Sequence, residues 1–138
     1  MSLERFLKAH EKTYTAALGE LKAGRKTGHW IWWIFPQMRG LGTTEYSLFY
    51  GLADRAEAKA YLEHPVLGAR YRECVAVVHR HLYEGGVAPL ALMGSEIDVV
   101  KLRSSLELFL KFAGEESAFE GFRKQARELL KRKSLLSR

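Results

Sequence analysis

The sequence of 138 residues contains a single cysteine, Cys74. One thiol excludes an internal disulfide and a cysteine-based zinc cluster, so a reducing compartment is the simpler expectation. Cys74 shares an apolar helical face with Tyr71, Val75 and Val78. A thiol in such surroundings is typically a small core residue, so we predict that Cys74 is buried and unreactive.

Long hydrophobic runs are also missing. The longest uninterrupted aliphatic or aromatic run covers only residues 30–35, whereas about 18–20 residues are needed to span a bilayer. The chain becomes charged at once, at Glu4 and Arg5, and lacks the apolar centre of a signal peptide. These features predict a cytoplasmic protein with no membrane partner.

Familiar metal and phosphate motifs are absent from the sequence. His79 and His81 would point about 200° apart on a helix, so they cannot chelate one metal ion. The glycine turn at 40–42 matches neither a P-loop nor a dinucleotide fingerprint. Amides at a helix start can bind phosphate, but a plain turn is the commoner role of such glycines. We therefore predict no metal and no cofactor.

The positive charge is concentrated near one end of the chain. Lys and Arg number 22 against 16 Asp and Glu, for a net charge of +6. Residues 123–138 contain seven bases and one acid, whereas residues 1–122 contain equal numbers of each. A basic tail can attract nucleic acids or acidic partners. More often it is a solvated terminus, and both interpretations stay open.

Apolar residues recur at steps of three and four along most of the chain, which is typical of amphipathic helices. Residues suited to begin or end helices punctuate this pattern: Ser2, Gly24, Thr43 or Thr44, Asp54, Pro65, Gly85, Ser95 and Gly114. Residues 30–35 have high strand propensity but no partner strand. We predict an all-α fold, a single compact helical domain over residues 1–138. It should contain about six or seven helices, with a basic C-terminal helix or tail from about residue 115.

All three tryptophans lie within four positions, at 30, 32 and 33, in a stretch without acids between Glu20 and Glu45. Aromatic walls with a few polar groups hold planar ligands through stacking and edge hydrogen bonds. We therefore predict one ligand-binding wall composed of Lys26, His29, Trp30, Trp33, Gln37 and Arg39. A tryptophan-rich core with exposed bases explains the same pattern equally well.

Asp98, Lys101 and Ser105 share one face of a predicted helix, since they are three and four residues apart. We predict that this face forms the opposite wall of the site. Lys101 and Ser105 would bind the ligand, and Asp98 would act as a general acid or base. Alternatively, Asp98 and Lys101 form only a helical ion pair, or Asp98 completes a cap with Ser95.

Three further polar residues are candidates on weaker grounds. Glu45 follows the glycine turn and is a second candidate general acid or base, because burial beside aromatic rings raises a carboxyl pKa. It is also the kind of acid that a helix N-terminus favours. Arg70 is a candidate anion-binding residue. His64 suits a cap or a hydrogen bond across the turn before Pro65.

The chain resembles the small bacterial family catalogued as domain of unknown function 1810. The likeness is carried by an aromatic-Phe-Pro-Gln string and several shorter matches across roughly residues 3–112. The matching positions are 29–37, 40–42, 57–58, 61–62, 64–68, 70, 94, 98, 101–105 and 108–109. Beyond Phe112 the sequence departs from the family pattern. The resemblance implies a compact, mostly helical, usually cytoplasmic single domain, and it implies no mechanism.

Together these residues favour a pocket for a planar anionic small molecule, such as a nucleotide or an ADP-ribose-like group. Cofactor-free hydrolysis, assisted by Asp98 or Glu45, is the simplest reaction such a pocket would support. Two alternatives remain from the sequence. In the first alternative, the chain is a structural or interaction domain without catalysis. In the second, it is a nucleic-acid-binding module that uses its basic tail.

Overall fold

The computed structural model describes residues 3–132, and over that range the chain folds into eight α-helices. They are α1 (Glu4–Ala23), α2 (Ile31–Ile34), α3 (Glu45–Tyr50), α4 (Arg55–Glu63), α5 (Leu67–His79), α6 (Pro89–Met93), α7 (Glu96–Phe112) and α8 (Glu120–Leu130). A π-helical turn, Arg80–Glu84, continues α5, and a 3₁₀ turn, Ser117–Phe119, precedes α8. The described residues contain no strand, which confirms the all-α prediction. Their helices outnumber the expected six or seven because the short α2 and α6 are separate elements.

Side-chain caps begin three helices at residues that the sequence predicted. Thr44, Asp54 and Ser95 each accept a hydrogen bond from the backbone N–H three residues later. Gly24 ends α1 in the left-handed conformation, with φ of 87°, which is typical of a helix-terminating glycine. Ser2, the predicted cap of α1, lies outside the described residues.

His64 forms the junction between α4 and α5. Its Nδ1 accepts hydrogen bonds from the backbone N–H groups of Val66 and Leu67, at 3.1 and 3.2 Å. The capping role suggested by the sequence is therefore confirmed for this histidine. Pro65 lies in the turn before α5 rather than in its first helical turn, because the His64 cap places the first helical residue at Leu67.

Gly68 is expected to tolerate no side chain, because its backbone lies against the end of α4. A Cβ at this position would overlap the carbonyl oxygen of Leu62. Overpacking against backbone typically costs about 1–3 kcal/mol, since backbone cannot rotate away. We expect Gly68→Ala to lower the free energy of unfolding by about that amount in urea denaturation.

Gly19 provides the matched control within α1. Nothing lies within 4 Å of a Cβ built at Gly19. Gly19→Ala should therefore raise the free energy of unfolding by about 0.5–1 kcal/mol, because alanine is favoured over glycine in a helix interior. Equal effects of the two substitutions would contradict the close approach at Gly68.

An aromatic cluster forms the core where α4, α5 and α7 meet. The rings of Tyr71 and Phe109 are 4.5 Å apart, and those of Tyr61 and Phe109 are 5.4 Å apart. The Tyr71 hydroxyl shares a hydrogen bond of 3.0 Å with Ser105 Oγ. Cys74 is buried nearby in α5, and burial raises the pKa of its thiol to about 12. The predicted burial of Cys74 is thus confirmed, and the thiol stays protonated at neutral pH.

Helix α8 lies within the basic segment predicted from about residue 115. It buries Phe122, Ala126 and Leu129 against the rest of the fold and leaves Lys124 and Arg127 exposed. Residues 133–138, the end of the predicted tail, lie outside the described residues. Like the other helices that the structure describes, α8 lacks the length and apolar character needed to cross a membrane.

Candidate functional site

A cleft of about 330 Å³ opens between the loop before α2 and the junction of α6 with α7. Its volume lies within the range of about 300–1,000 Å³ that is typical of small-molecule sites. The lining residues are Lys26, Thr27, Gly28, His29, Ile31, Trp32, Met93, Gly94, Ser95, Ile97, Asp98 and Lys101. The cleft therefore joins parts of the two polar stretches that the sequence singled out.

One carboxylate, Glu20 of α1, holds the loop that enters the cleft. Glu20 Oε1 accepts hydrogen bonds from the backbone N–H groups of Thr27 and Gly28 and from Trp30 Nε1, at 2.9, 2.8 and 2.8 Å. Burial acts to raise the pKa of Glu20, but these donors outweigh it and the pKa is lowered. The ionised carboxylate fixes the loop from which His29 reaches the cleft.

Lys26 connects the two walls. Its Nζ lies 2.7 Å from Asp98 Oδ2 and donates a hydrogen bond of 2.6 Å to the carbonyl of Gly28. Its backbone N–H donates to the carbonyl of Leu92 at 2.8 Å, and its Nζ lies 4.9 Å from the centre of the Trp30 ring. The side chains of Lys26 and Asp98 are 5% and 16% exposed, so the ion pair is largely shielded from water.

Lys101 lies one turn after Asp98 on α7, with its Nζ 4.3 Å from the centre of the Trp32 ring. Burial lowers the pKa of the Lys101 ammonium, the Asp98 carboxylate opposes that effect, and the charge of Lys26 adds to it. Among residues 3–132 this ammonium forms no ion pair. Trp32 Nε1 is buried and has no hydrogen-bond acceptor within the described part of the chain.

The remaining polar lining also favours an anion. Ser95 caps α7 by accepting the Asp98 N–H at 3.2 Å, so the positive end of the α7 dipole borders the cleft. The exposed side chain of His29 completes the opposite rim. The described lining contains two lysines and one aspartate, so its net charge is positive.

Trp32, rather than Trp30 or Trp33, supplies the tryptophan ring of the cleft. Trp30 and Trp33 are 3% and 8% exposed and belong to the core. The Trp33 indole N–H donates to Thr13 Oγ1 at 2.8 Å, and Trp30 donates to Glu20. The alternative interpretation, a tryptophan-rich core, describes these two side chains.

Ser105 and Arg70, two of the predicted binding residues, lie away from the cleft lining. Ser105 is fully buried and bonded to Tyr71. The guanidinium of Arg70, on α5, lies 4.6 Å from the centre of the Tyr14 ring. The structure therefore does not bring either side chain to Asp98 and Lys101 at the cleft.

Three other predicted residues follow α2 and also lie outside the cleft lining. Gln37 lines an adjoining groove, while Arg39 donates a long hydrogen bond of 3.4 Å to the carbonyl of Gly51. Glu45 is exposed at the first position of α3, where a helix dipole favours an acid.

Comparisons with protein families and with solved structures identify the family of this chain. A family model described as "Protein of unknown function (DUF1810)" matches residues 1–128. The chain belongs to the DUF1810 family. This DUF1810 protein resembles the solved structure of the conserved hypothetical protein Rv1873 from Mycobacterium tuberculosis, with 37% identity and a TM-score of 0.81. That match covers 94% of this chain and 84% of the other, and no curated protein matches the chain.

Some residues that line the cleft of this DUF1810 protein were not predicted from the sequence. Met93, Gly94 and Ile97 line the cleft, but none carries a reactive group by which a sequence pattern would select it. Gly94 has φ of 87°, and a Cβ there would lie 3.2 Å from the carbonyl oxygen of Lys26, so the glycine permits the close approach of the two walls. Glu20 was missed too, although its position as the last acid before the acid-free stretch was a usable signal.

The side chains that line the cleft of this DUF1810 protein limit the reactions that it could support. Asp98 is the one carboxylate in the described lining; it pairs with Lys26, and its charge also acts to raise the pKa of Lys101. Such an arrangement can neutralise an anionic group and can accept a proton from a water molecule. Among residues 3–132, no three His, Cys, Asp or Glu side chains come together in a way that could hold a metal ion.

Proposed function

We propose that this cleft binds a small anionic molecule with a planar part, such as a nucleotide or an ADP-ribose-like compound. The observation that carries the proposal is the convergence of Lys26 and Lys101 on one cleft of about 330 Å³. Charged groups in such shielded surroundings act more strongly than on the open surface. An anion held there would meet both ammonium groups and the positive end of α7.

Lys101 is the residue whose charge is most available to a ligand. Lys26 already has Asp98 and the Gly28 carbonyl as partners, whereas Lys101 rests on the Trp32 ring. Partial burial disfavours the charged form of Lys101. A bound phosphate or carboxylate would relieve that penalty, since a nearby opposite charge favours the ammonium. A ligand oxygen that reached Trp32 Nε1 would also satisfy a buried donor.

If the bound molecule is hydrolysed, Asp98 is the residue to which we assign the chemistry. Its carboxylate borders the cleft, and its Oδ2 lies 2.7 Å from Lys26 Nζ. An ionised carboxylate can accept a proton from an attacking water, with the lysines stabilising developing negative charge. Glu45 receives less support for this role because it is exposed on α3 outside the cleft lining.

Lys101→Ala is expected to weaken binding of the best nucleotide or ADP-ribose ligand by at least about tenfold, because a charge-assisted hydrogen bond contributes roughly 1.5–3 kcal/mol. A thermal-shift panel would select that ligand, and titration calorimetry would measure its Kd. Lys111→Ala is the matched control, since Lys111 is exposed at the other end of the same helix.

Three results would contradict the proposal. The wild-type protein is stabilised by no member of the panel at millimolar concentration, Lys101→Ala binds as tightly as the wild type, or Lys111→Ala weakens binding equally. DNA and RNA oligonucleotides belong in the same panel. If they alone bind, with steep salt dependence, the nucleic-acid alternative replaces the small-molecule one.

A further inference from the structure

A second concavity adjoins the cleft along α7. This groove has a volume of about 320 Å³ and is lined by Gln37, Leu41, Ile97, Val100, Lys101 and Ser104. Its four α7 residues follow one another at steps of three, one and three, so they share one helix face. The loop after α2 supplies the opposite side. Ile97 and Leu41 are 67% and 64% exposed, which leaves two large apolar side chains uncovered at the rim.

The groove is continuous with the cleft, because Ile97 and Lys101 line both. The Lys101 side chain lies at the boundary, with its ammonium beside the Trp32 ring. The two spaces differ in chemistry. The cleft is lined by Lys26, Asp98 and His29, whereas Lys101, which both spaces share, is the one charged residue among the described residues that line the groove.

We infer that the groove is a subsite for an uncharged flat ring attached to the anionic group in the cleft. This inference rests on the proposed anion site and adds a second half to the ligand. An anion beside Lys101 positions whatever is bonded to it at the groove entrance, so the ring is delivered to Ile97 and Val100. Aliphatic walls favour the faces of such a ring through burial of apolar surface.

The two neutral polar side chains of the groove specify the ring further. Gln37 carries an amide that both donates and accepts hydrogen bonds, and Ser104 carries a hydroxyl with the same versatility. They lie on opposite sides of the groove, one from the loop and one from α7. A ring with donors and acceptors on its edge, as in a nucleobase, uses both groups, whereas a purely hydrocarbon ring leaves them unpaired.

The experiment compares two probes, pyrophosphate and a set of nucleoside diphosphates, on the intact chain by titration calorimetry. At least one diphosphate should bind the wild type about tenfold or more tightly than pyrophosphate, the increment expected from a ring seated in an apolar pocket. Val100→Trp fills the groove from a position that does not itself line the cleft. It should remove that tenfold advantage while changing the pyrophosphate Kd less than twofold.

Two further variants keep the test decisive. Ser104→Phe blocks the same groove from the next turn of α7, and it serves if Val100→Trp does not fold. Val66→Trp places the same bulk at a partly exposed position before α5, 39% exposed, and should leave both probes unaffected. The ring subsite alone is overturned if pyrophosphate binds the wild type as tightly as every nucleoside diphosphate does. It is also overturned if the groove-filling variants still bind a nucleoside diphosphate about tenfold more tightly than pyrophosphate. If neither probe binds the wild type, the anion site and the ring subsite both fall.

Discussion

Replacing Glu57 with alanine is expected to lower the free energy of unfolding by about 3–5 kcal/mol, because it leaves a buried guanidinium without its carboxylate. Arg5 Nη1 and Nη2 donate to the two oxygens of Glu57 at 2.8 and 3.0 Å. The two side chains are only 10% and 4% exposed. Arg5 also donates to the carbonyls of Phe49 and Gly51, at 2.8 and 3.1 Å. The pair therefore ties α1 to the end of α3 and the start of α4.

Urea denaturation of a matched pair of variants in α4 checks this expectation. Glu63 forms an ion pair of 3.9 Å with Lys59, but their side chains are 45% and 61% exposed. Exposed pairs one helical turn apart contribute only about 0.3–0.5 kcal/mol, so Glu63→Ala should have a small effect. If Glu57→Ala lowers the free energy of unfolding no more than Glu63→Ala does, the buried pair does not stabilise the fold as its geometry indicates.

The same contact makes stability sensitive to acid. Burial acts to raise the pKa of Glu57, but hydrogen bonds from Arg5 and the Ala53 N–H, with the charges of Arg5 and Arg39, lower it below the usual 4.5. The folded pKa is thus depressed relative to the unfolded chain. The contribution of Glu57 is present above about pH 4.5 and is lost as the pH falls through the folded pKa. The stability difference between wild type and Glu57→Ala should therefore shrink in acid.

Local signals in the sequence predicted the helices well, because caps and helix ends depend on neighbouring residues. Thr44, Asp54 and Ser95 cap through the backbone three residues on, a distance that periodicity and residue type specify. The tryptophan segment was harder. Its strand propensity conflicted with a helical setting, and the structure has the four-residue α2 there, since residues 3–132 contain no strand that could pair with it.

The site depended on long-range contacts that spacing does not encode. Periodicity groups Trp30 and Trp33 on one face, but it does not say whether that face meets the core or a ligand. Likewise Asp98 and Lys101 could be placed on one helix, whereas the pairing of Lys26 with Asp98 requires the turn at Gly94 to bring α7 against the loop. That turn also adds Met93 to the lining, a residue with no chemistry by which a sequence argument would select it.

Asp98→Ala is expected to lower the free energy of unfolding by about 3 kcal/mol, the lower end of what breaking a buried ion pair costs. The lower end applies because Asp98 is 16% exposed, so water partly replaces it. Lys26, at 5% exposure, would keep the Gly28 carbonyl as a hydrogen-bond acceptor but no counter-charge. Urea denaturation measures this loss. A change below about 1 kcal/mol, the level of an exposed pair, would contradict the shielding of the pair.

A loss of stability alone does not show whether the Lys26–Asp98 ion pair also binds a ligand. A double variant, measured for both stability and binding, makes that distinction. Lys26→Met with Asp98→Leu replaces both charges by apolar groups, an exchange that is often neutral for buried pairs. We expect it to regain most of the stability lost in Asp98→Ala, yet to bind the nucleotide or ADP-ribose ligand at least about tenfold more weakly than the wild type, because the Lys26 ammonium that would meet the anion is gone. A double variant that is stable and binds as well as the wild type would make the pair purely structural and would leave Lys101 alone to hold the anion.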